Sequence, residues 1–182
     1  ADFTPVCTSE VATFAALADD FAKLNTALLG LSVDSVSSHL AWIKNIQERI
    51  RFNDYSGQQI SFPIIADMKM EVAKKYGMIQ PHASDTKAVR AVFVVDPKGK
   101  IRAILYYPLS TGRNFEEIKR LLEALQTTDK YGVATPANWK SGESVLAGAP
   151  SDSQAMYERI EKTPAELYCQ DWFFCTKDAP LA

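Results

Sequence analysis

The chain has 182 residues, enough to bury one good core, and its 47% hydrophobic and 23% charged residues give the balance of an ordinary soluble protein. A formal net charge of −2, with no basic patch, speaks against a nucleic-acid partner, and no apolar run reaches membrane-spanning length, so no membrane partner is expected. Three cysteines are too few and odd in number for a secreted disulfide framework; they fit reactive thiols in a reducing compartment, which places the expectation in the cytoplasm. The two histidines, His39 and His82, stand far from each other and from every cysteine, without zinc-ligand spacing, so no metal and no cofactor are expected.

The chain opens on Ala1-Asp2-Phe3-Thr4-Pro5-Val6-Cys7-Thr8-Ser9-Glu10. From Val11 the residues Phe14, Ala15, Ala18, Phe21 and Ala22 recur at helical spacing, which puts Cys7 in or just before a first helical turn. Unpaired N–H groups and the positive end of the helix dipole there favour the thiolate, which is the nucleophilic form. A hydroxyl at Thr4 can point at that sulfur across the turn. The alternative is that Cys7 is a small buried hydrophobe.

Next comes Ala27 to Val33, a short continuous apolar run of the kind expected for a strand buried on both faces. Gly30-Leu31-Ser32-Val33-Asp34 has a superficial likeness to a nucleophile elbow, but the closing glycine is absent and a strand end is the better reading. Ser35 or Ser37 can cap a following helix with an apolar stripe of Val36, Leu40, Ile43, Ile46 and Ile50. Residues 51–61 are a polar loop, 62–67 an extended segment held out of helical geometry by Pro63, and Met70 to Tyr76 a brief helix stopped at Gly77. Ala91 to Val95, the turn Asp96-Pro97-Lys98-Gly99 and Ile101 to Tyr107 form a hairpin. A helix from Phe115 to about Gln126 then turns Ile118, Leu121, Leu122 and Leu125 inward.

Helix, strand, helix, strand, helix, hairpin, helix is the order of an α/β, thioredoxin-like fold without its first strands, which would lie before Ala1. The expected domains are therefore 1–126, a thioredoxin-like domain incomplete at its N-terminus, and 127–182, an extended arm. Prolines and glycines break the arm into loops around one helix near Ser153 to Lys162. It carries Tyr131, Trp139, Met156, Tyr157, Trp172, Phe173 and Phe174, more apolar surface than a broken segment readily buries on itself, so a homodimer or higher homo-oligomer is expected.

Asp2-Phe3-Thr4-Pro5-Val6-Cys7-Thr8 resembles the peroxidatic-cysteine motif of the peroxiredoxins, in wording closest to the one-cysteine, peroxiredoxin-6-like subgroup. The likeness continues through Leu31 to Val36, His39 to Trp42, Phe62 to Asp67, Val89 to Val94, Tyr107 to Phe115 and Val133 to Lys140, in the right order. It implies Cys7 as the peroxidatic cysteine, Thr4 as the hydroxyl that bonds the peroxide, Arg90 as the arginine that stabilises the thiolate and orients the substrate, and Arg113 as a second supporting arginine. A guanidinium beside a sulfur lowers the thiol pKa and can bond a peroxide oxygen as charge develops. Taken alone, each arginine reads better as a surface ion pair; the motifs carry the site reading. The family's site also uses a proline that would fall just before Ala1. Cys169 and Cys175 depart from the strict one-cysteine pattern and resemble the C-terminal pair of archaeal and some bacterial members, in which a tail cysteine attacks the oxidised sulfur; packing beside Trp172 to Phe174 is the alternative.

The resulting expectation is a thiol-dependent peroxidase of antioxidant defence that reduces hydrogen peroxide and small organic hydroperoxides and is regenerated by a thiol reductant, a thioredoxin-like protein or glutathione. A thioredoxin-type disulfide reductase is disfavoured, because Glu10 stands where a Cys-x-x-Cys motif needs its second cysteine. An oligomeric holdase chaperone or a redox-signalling scaffold is the non-enzymatic alternative.

Overall fold

The computed structural model describes residues 1–79 and 89–179, and the chain divides into two compact units, Ala1–Phe115 and Glu116–Ala182. His82 lies outside the described residues.

The first unit begins with helix α1, Pro5–Ala16, whose start follows from local chemistry: Thr4 is extended at the N-cap and Pro5 fills a first-turn position where a missing N–H costs nothing. Ala12 and Ala15 bury the inner face of α1, and a short α2, Ala18–Lys23, buries Phe21. Strand β1, Gly30–Ser32, pairs in parallel with β2, Ile64–Ala66, in the register Gly30↔Ile64. A Cβ on Gly30 would lie 3.1 Å from Ile64 Cγ1, so glycine permits the close approach of the two strands. The strand is shorter than the seven-residue run predicts, and only Ser32 within it is fully buried, because the ladder begins only where β2 begins.

Helix α3, Val36–Arg49, is capped by Ser35, whose hydroxyl accepts from the Ser38 N–H. Its buried face overlaps the predicted stripe only in part: Ile46 is buried and Ile43 and Ile50 pack against the core, but His39 and Trp42 also face inward, while Val36 and Leu40 are 62% and 65% exposed. The reason is polar. His39 and Trp42 both find hydrogen-bond partners inside, Asp2 and Thr8, and those bonds set the rotation of the helix. Trp42 and Ile46 join Ala12, Ala15, Tyr55 and Ile60 in one core, against which Cys7 and Phe62 pack.

Helix α4, Glu71–Lys75, starts from the Asp67 carboxylate, which accepts from the Val72 and Ala73 N–H groups, and stops before Gly77 at φ +66°. Strands β3, Arg90–Val95, and β4, Ile101–Tyr107, form the expected antiparallel hairpin, its turn fixed by Asp96 Oδ1 accepting from the Lys98 and Lys100 N–H groups.

Helix α5, Phe115–Tyr131, passes the unit boundary and runs five residues beyond the predicted Gln126, ending at Gly132 with φ +62°. Within the second unit the predicted loops prove to include three short strands. These are β5, Val145–Leu146, β6, Tyr168–Asp171, and β7, Phe174–Lys177, in the antiparallel order β5-β7-β6; helix α6, Ser153–Glu161, lies between β5 and β6 in sequence. Trp139 is buried with Ala124, Val133 and Val145, so this part of the arm's apolar surface is covered by its own unit. Tyr157, Tyr168 and Phe173 remain exposed. No helix among the described residues is long and apolar enough to cross a membrane.

Candidate active site

Cys7 is the third residue of α1, half-buried and free, at the end of the helix where backbone N–H groups lack helical partners. Arg90, the first residue of β3, reaches it from across the unit: its side chain is 5% exposed and Nη1 lies 3.7 Å from Cys7 Sγ. Arg90 Nη2 donates to the Leu109 carbonyl oxygen at 2.8 Å, which fixes the plane of the guanidinium.

The residue that organises this cationic wall is Glu10, one helical turn after Cys7 and 2% exposed. Its carboxylate accepts from Arg90 Nη1, and from Arg113 through the backbone N–H at 2.8 Å, Nε at 3.0 Å and Nη2 at 2.7 Å. Arg113 is further held by the Ala91 carbonyl oxygen, 3.0 Å from Nη1, and its guanidinium lies 5.9 Å from the Phe14 ring centre. Two guanidiniums on one carboxylate, Arg90 buried and Arg113 partly exposed, leave a net positive charge beside the sulfur, and the carboxylate meets the desolvation cost of holding Arg90 there. The sequence reading passed over Glu10 as a site residue. Its signal was present as the three-residue step from Cys7, which puts both side chains on one helical face.

Burial works against ionising Cys7. The Thr4 hydroxyl, the Ala1 ammonium and the Arg90 guanidinium outweigh it, and the thiol is held below its ordinary value. The Ala1 ammonium stands 3.3 Å from Sγ; in a chain extended before Ala1 this group would be an uncharged amide, leaving Thr4 and Arg90 to carry the effect. Thr4 Oγ1 also donates to the Ala1 carbonyl oxygen at 2.7 Å, so its single proton has two acceptors in reach.

A cavity of about 570 Å³ opens beside the start of α1, lined by Phe3, Thr4, Pro5, Thr8, Trp42 and Phe52 among others. Thr4 and Thr8 flank Cys7 in sequence, and Trp42 Nε1 donates to Thr8 Oγ1 at 3.0 Å. The Ser32 hydroxyl donates a hydrogen bond to Asp34 Oδ2 at 2.6 Å, in keeping with its reading as a strand end. Asp34 also accepts from the Asp2 N–H; burial raises its pKa, but the bonds from Ser32 and Asp2 hold it below the usual carboxylate value.

The structure thus gathers Cys7, Thr4, Arg90 and Arg113 in the first unit. Cys169 and Cys175 lie in the second, where they face each other across the β6–β7 hairpin and are joined as a disulfide, with Cα atoms 4.0 Å apart. Cys175 is 1% exposed and Cys169 half-buried.

Residues 1–104 match the AhpC/TSA family, and residues 124–163 match the C-terminal domain of 1-Cys peroxiredoxin. A peroxiredoxin of Methanosarcina mazei is 56% identical over 177 residues, covering 97% of this chain and 81% of the relative. One from Aquifex aeolicus is 50% identical over 188 residues, covering 97% and 80%. Among solved structures, a cysteine-to-serine mutant of the Peroxiredoxin 6 of Arenicola marina superposes with a TM-score of 0.84 at 31% identity, covering 100% of this chain and 83% of the other. The yeast mitochondrial 1-Cys peroxiredoxin, described as resolved through glutathione and thioredoxin systems, gives 0.80 at 37% identity, covering 98% and 83%.

Proposed function

Since the chain belongs to the peroxiredoxins, of the peroxiredoxin-6-like type with a thioredoxin-like fold, and is a thiol peroxidase, we propose that Cys7 is its peroxidatic cysteine, with Thr4, Arg90 and Arg113 completing the site. The observation that carries this is the half-buried Cys7 thiol at the first turn of α1, held below its ordinary pKa with Arg90 Nη1 3.7 Å from the sulfur. The thiolate attacks one peroxide oxygen; the O–O bond breaks, the sulfur is oxidised by two electrons to a sulfenic acid, and the other oxygen leaves as hydroxide or alkoxide and takes up a proton. Arg90 shields the sulfur's charge before attack and bonds the oxygens as charge moves onto them. Thr4 offers its hydroxyl to the bound peroxide, and Arg113 fixes Glu10 and, through it, Arg90.

Membership of the peroxiredoxins supports hydrogen peroxide and small organic hydroperoxides as the substrates. A second thiol condenses with the sulfenic acid to release water, and two further electrons from a thioredoxin-like protein or glutathione restore Cys7. The Cys169–Cys175 disulfide supports the tail pair as the resolving couple, since it is the oxidised state such a couple reaches after each turnover. The matches to residues 1–104 and 124–163 support a peroxidase domain over 1–126 and a dimerisation arm over 127–182. Exposed Tyr157, Tyr168 and Phe173 favour a homodimer or larger homo-oligomer, and the need for reduced thiols favours the cytoplasm.

The direct test is Cys7→Ser, with sulfenic acid trapped on the wild-type protein by a dimedone-type probe after one equivalent of hydrogen peroxide. Loss of turnover together with labelling at Cys7 is expected. Turnover that survives the substitution would overturn the assignment.

A further inference from the structure

Asp2 and His39 form a buried pair that the chemistry above does not use. His39 Nδ1 and Asp2 Oδ2 are 2.7 Å apart, and the two side chains are 5% and 1% exposed. With Asp2 ionised, Nδ1 carries the proton and donates it. Asp2 Oδ1 is buried with no partner among the described residues, so the bond from His39 is what compensates the desolvated carboxylate. The backbone of Asp2 is held as well: its N–H donates to Asp34 Oδ2 at 2.8 Å, and Asp34 is fixed in turn by Ser32 at the end of β1. His39 Nε2 lies 3.4 Å from the Ile65 carbonyl oxygen of β2. Residue 2 is therefore tied to α3, β1 and β2 at once.

The next residue shows what the tie does. Phe3 has φ +54°, left-handed backbone that a bulky non-glycine side chain adopts only under constraint, and its ring is exposed, so its own burial does not impose the conformation. On the far side of Phe3 stands Thr4, the N-cap of α1, whose hydroxyl donates to the Ala1 carbonyl oxygen and acts on Cys7. A turn through Phe3 that is anchored on one side only would relax toward negative φ and carry Thr4 with it.

We infer that Asp2 and His39 are positioning residues for the peroxide reaction: their buried hydrogen bond holds the strained Phe3 turn, and through it places Thr4 at the head of the helix that carries Cys7. The charged group facing the pair is Asp34, from the segment after β1, which accepts from the Asp2 N–H and interacts electrostatically with His39. The inference rests on Cys7 and Thr4 forming the peroxidatic site.

The test compares Asp2→Ala, which removes the acceptor, with Asp2→Asn, which keeps a carbonyl oxygen for Nδ1 and removes the charge. Stopped-flow would give the second-order rate constant for hydrogen peroxide, and absorbance near 240 nm the Cys7 thiolate titration, both at a temperature well below unfolding. A displaced hydroxyl costs about tenfold or more in rate, so Asp2→Ala should fall by that much with the Cys7 titration moved upward, while Asp2→Asn stays within about threefold of wild type. A merely structural role would lower the reacting amplitude and leave the rate constant of folded molecules unchanged. Should Asp2→Ala not fold, His39→Asn, whose amide nitrogen can replace Nδ1, is expected near wild type, and His39→Gln, whose longer side chain cannot, is expected to be impaired like Asp2→Ala. An Asp2→Ala rate constant within twofold of wild type, or equal losses in Asp2→Ala and Asp2→Asn, overturns the inference. Cys7→Ser in parallel separates the two claims: if it retains turnover, the site assignment fails; if it is inactive while Asp2→Ala is unimpaired, only the positioning role fails.

Discussion

The charge balance at Cys7 comes from three residues drawn from distant parts of the chain: Arg90 is 80 residues from Glu10 in sequence, and Arg113 is 103. Each has a separable consequence. Arg90→Lys keeps the charge but loses the planar fork that holds Glu10 and the Leu109 carbonyl oxygen together, so the rate constant with hydrogen peroxide should fall about tenfold or more by stopped-flow. Glu10→Gln should do more harm than its distance from the peroxide suggests, because two guanidiniums would then share a buried site without a counter-charge. A loss of roughly 3 kcal/mol or more in urea unfolding is expected. The sign of the pH dependence follows from the lowered Cys7 pKa: the reactive thiolate persists below the ordinary thiol value, so as pH falls the rate should be lost through a midpoint that lies below that value. A half-maximal rate at or above the ordinary thiol value would contradict this electrostatic account. Cys7 and Thr4 were legible in the sequence because their relation is local, three residues within one turn. The role of Glu10 was not, since nothing in its neighbourhood announces two arginines arriving from the hairpin and the loop after it.

At the scale of elements, the sequence placed α3 correctly and its buried face only in its second half, where Ile43, Ile46 and Ile50 meet the core. The apolar stripe of Val36, Leu40, Ile43, Ile46 and Ile50 predicts the inner face, but the helix turns His39 and Trp42 inward in place of Val36 and Leu40, because each finds an acceptor, Asp2 and Thr8. Trp42 is thus the contact that docks α3 onto the first turn of α1. Trp42→Phe keeps much of the packing, removes the bond to Thr8 and leaves a small void. It should cost roughly 1–3 kcal/mol in urea unfolding, and the mutant should show faster alkylation of Cys7 as that turn loosens. Unchanged stability would mean that the α1–α3 contact is held by Ile46 and Ala12 alone. The hairpin β3–β4 was readable because an Asp-Pro-x-Gly turn fixes its centre. The strands of the second unit, two to four residues each and separated by prolines and glycines, are too short for an alternation to register.

For the whole molecule, the proposed role of Cys7 raises the question of how its oxidised form in the first unit would be returned to the thiol. The two tail cysteines are already cross-strand partners in an antiparallel hairpin, so a disulfide between them closes without rearranging β6 and β7. If the pair is the resolving couple, one tail thiol condenses with the Cys7 sulfenic acid and releases water, the other displaces Cys7 as its thiolate, and the hairpin, having given up two electrons, is left as the disulfide. If the arm packs on a second copy of the chain, as its exposed Tyr157, Tyr168 and Phe173 favour, the transient bond joins two chains. Replacing one tail cysteine by serine then blocks the second exchange. Reduced Cys169→Ser or Cys175→Ser protein treated with one equivalent of hydrogen peroxide should therefore run as a covalent dimer on a non-reducing gel for whichever variant retains the attacking thiol, while wild-type protein returns to the monomer band. The other variant should show more over-oxidised Cys7 by intact mass, because no thiol arrives to intercept the sulfenic acid. If the double serine variant turns over with the same reductant at the wild-type rate, the hairpin disulfide is structural and the reductant acts on Cys7 directly.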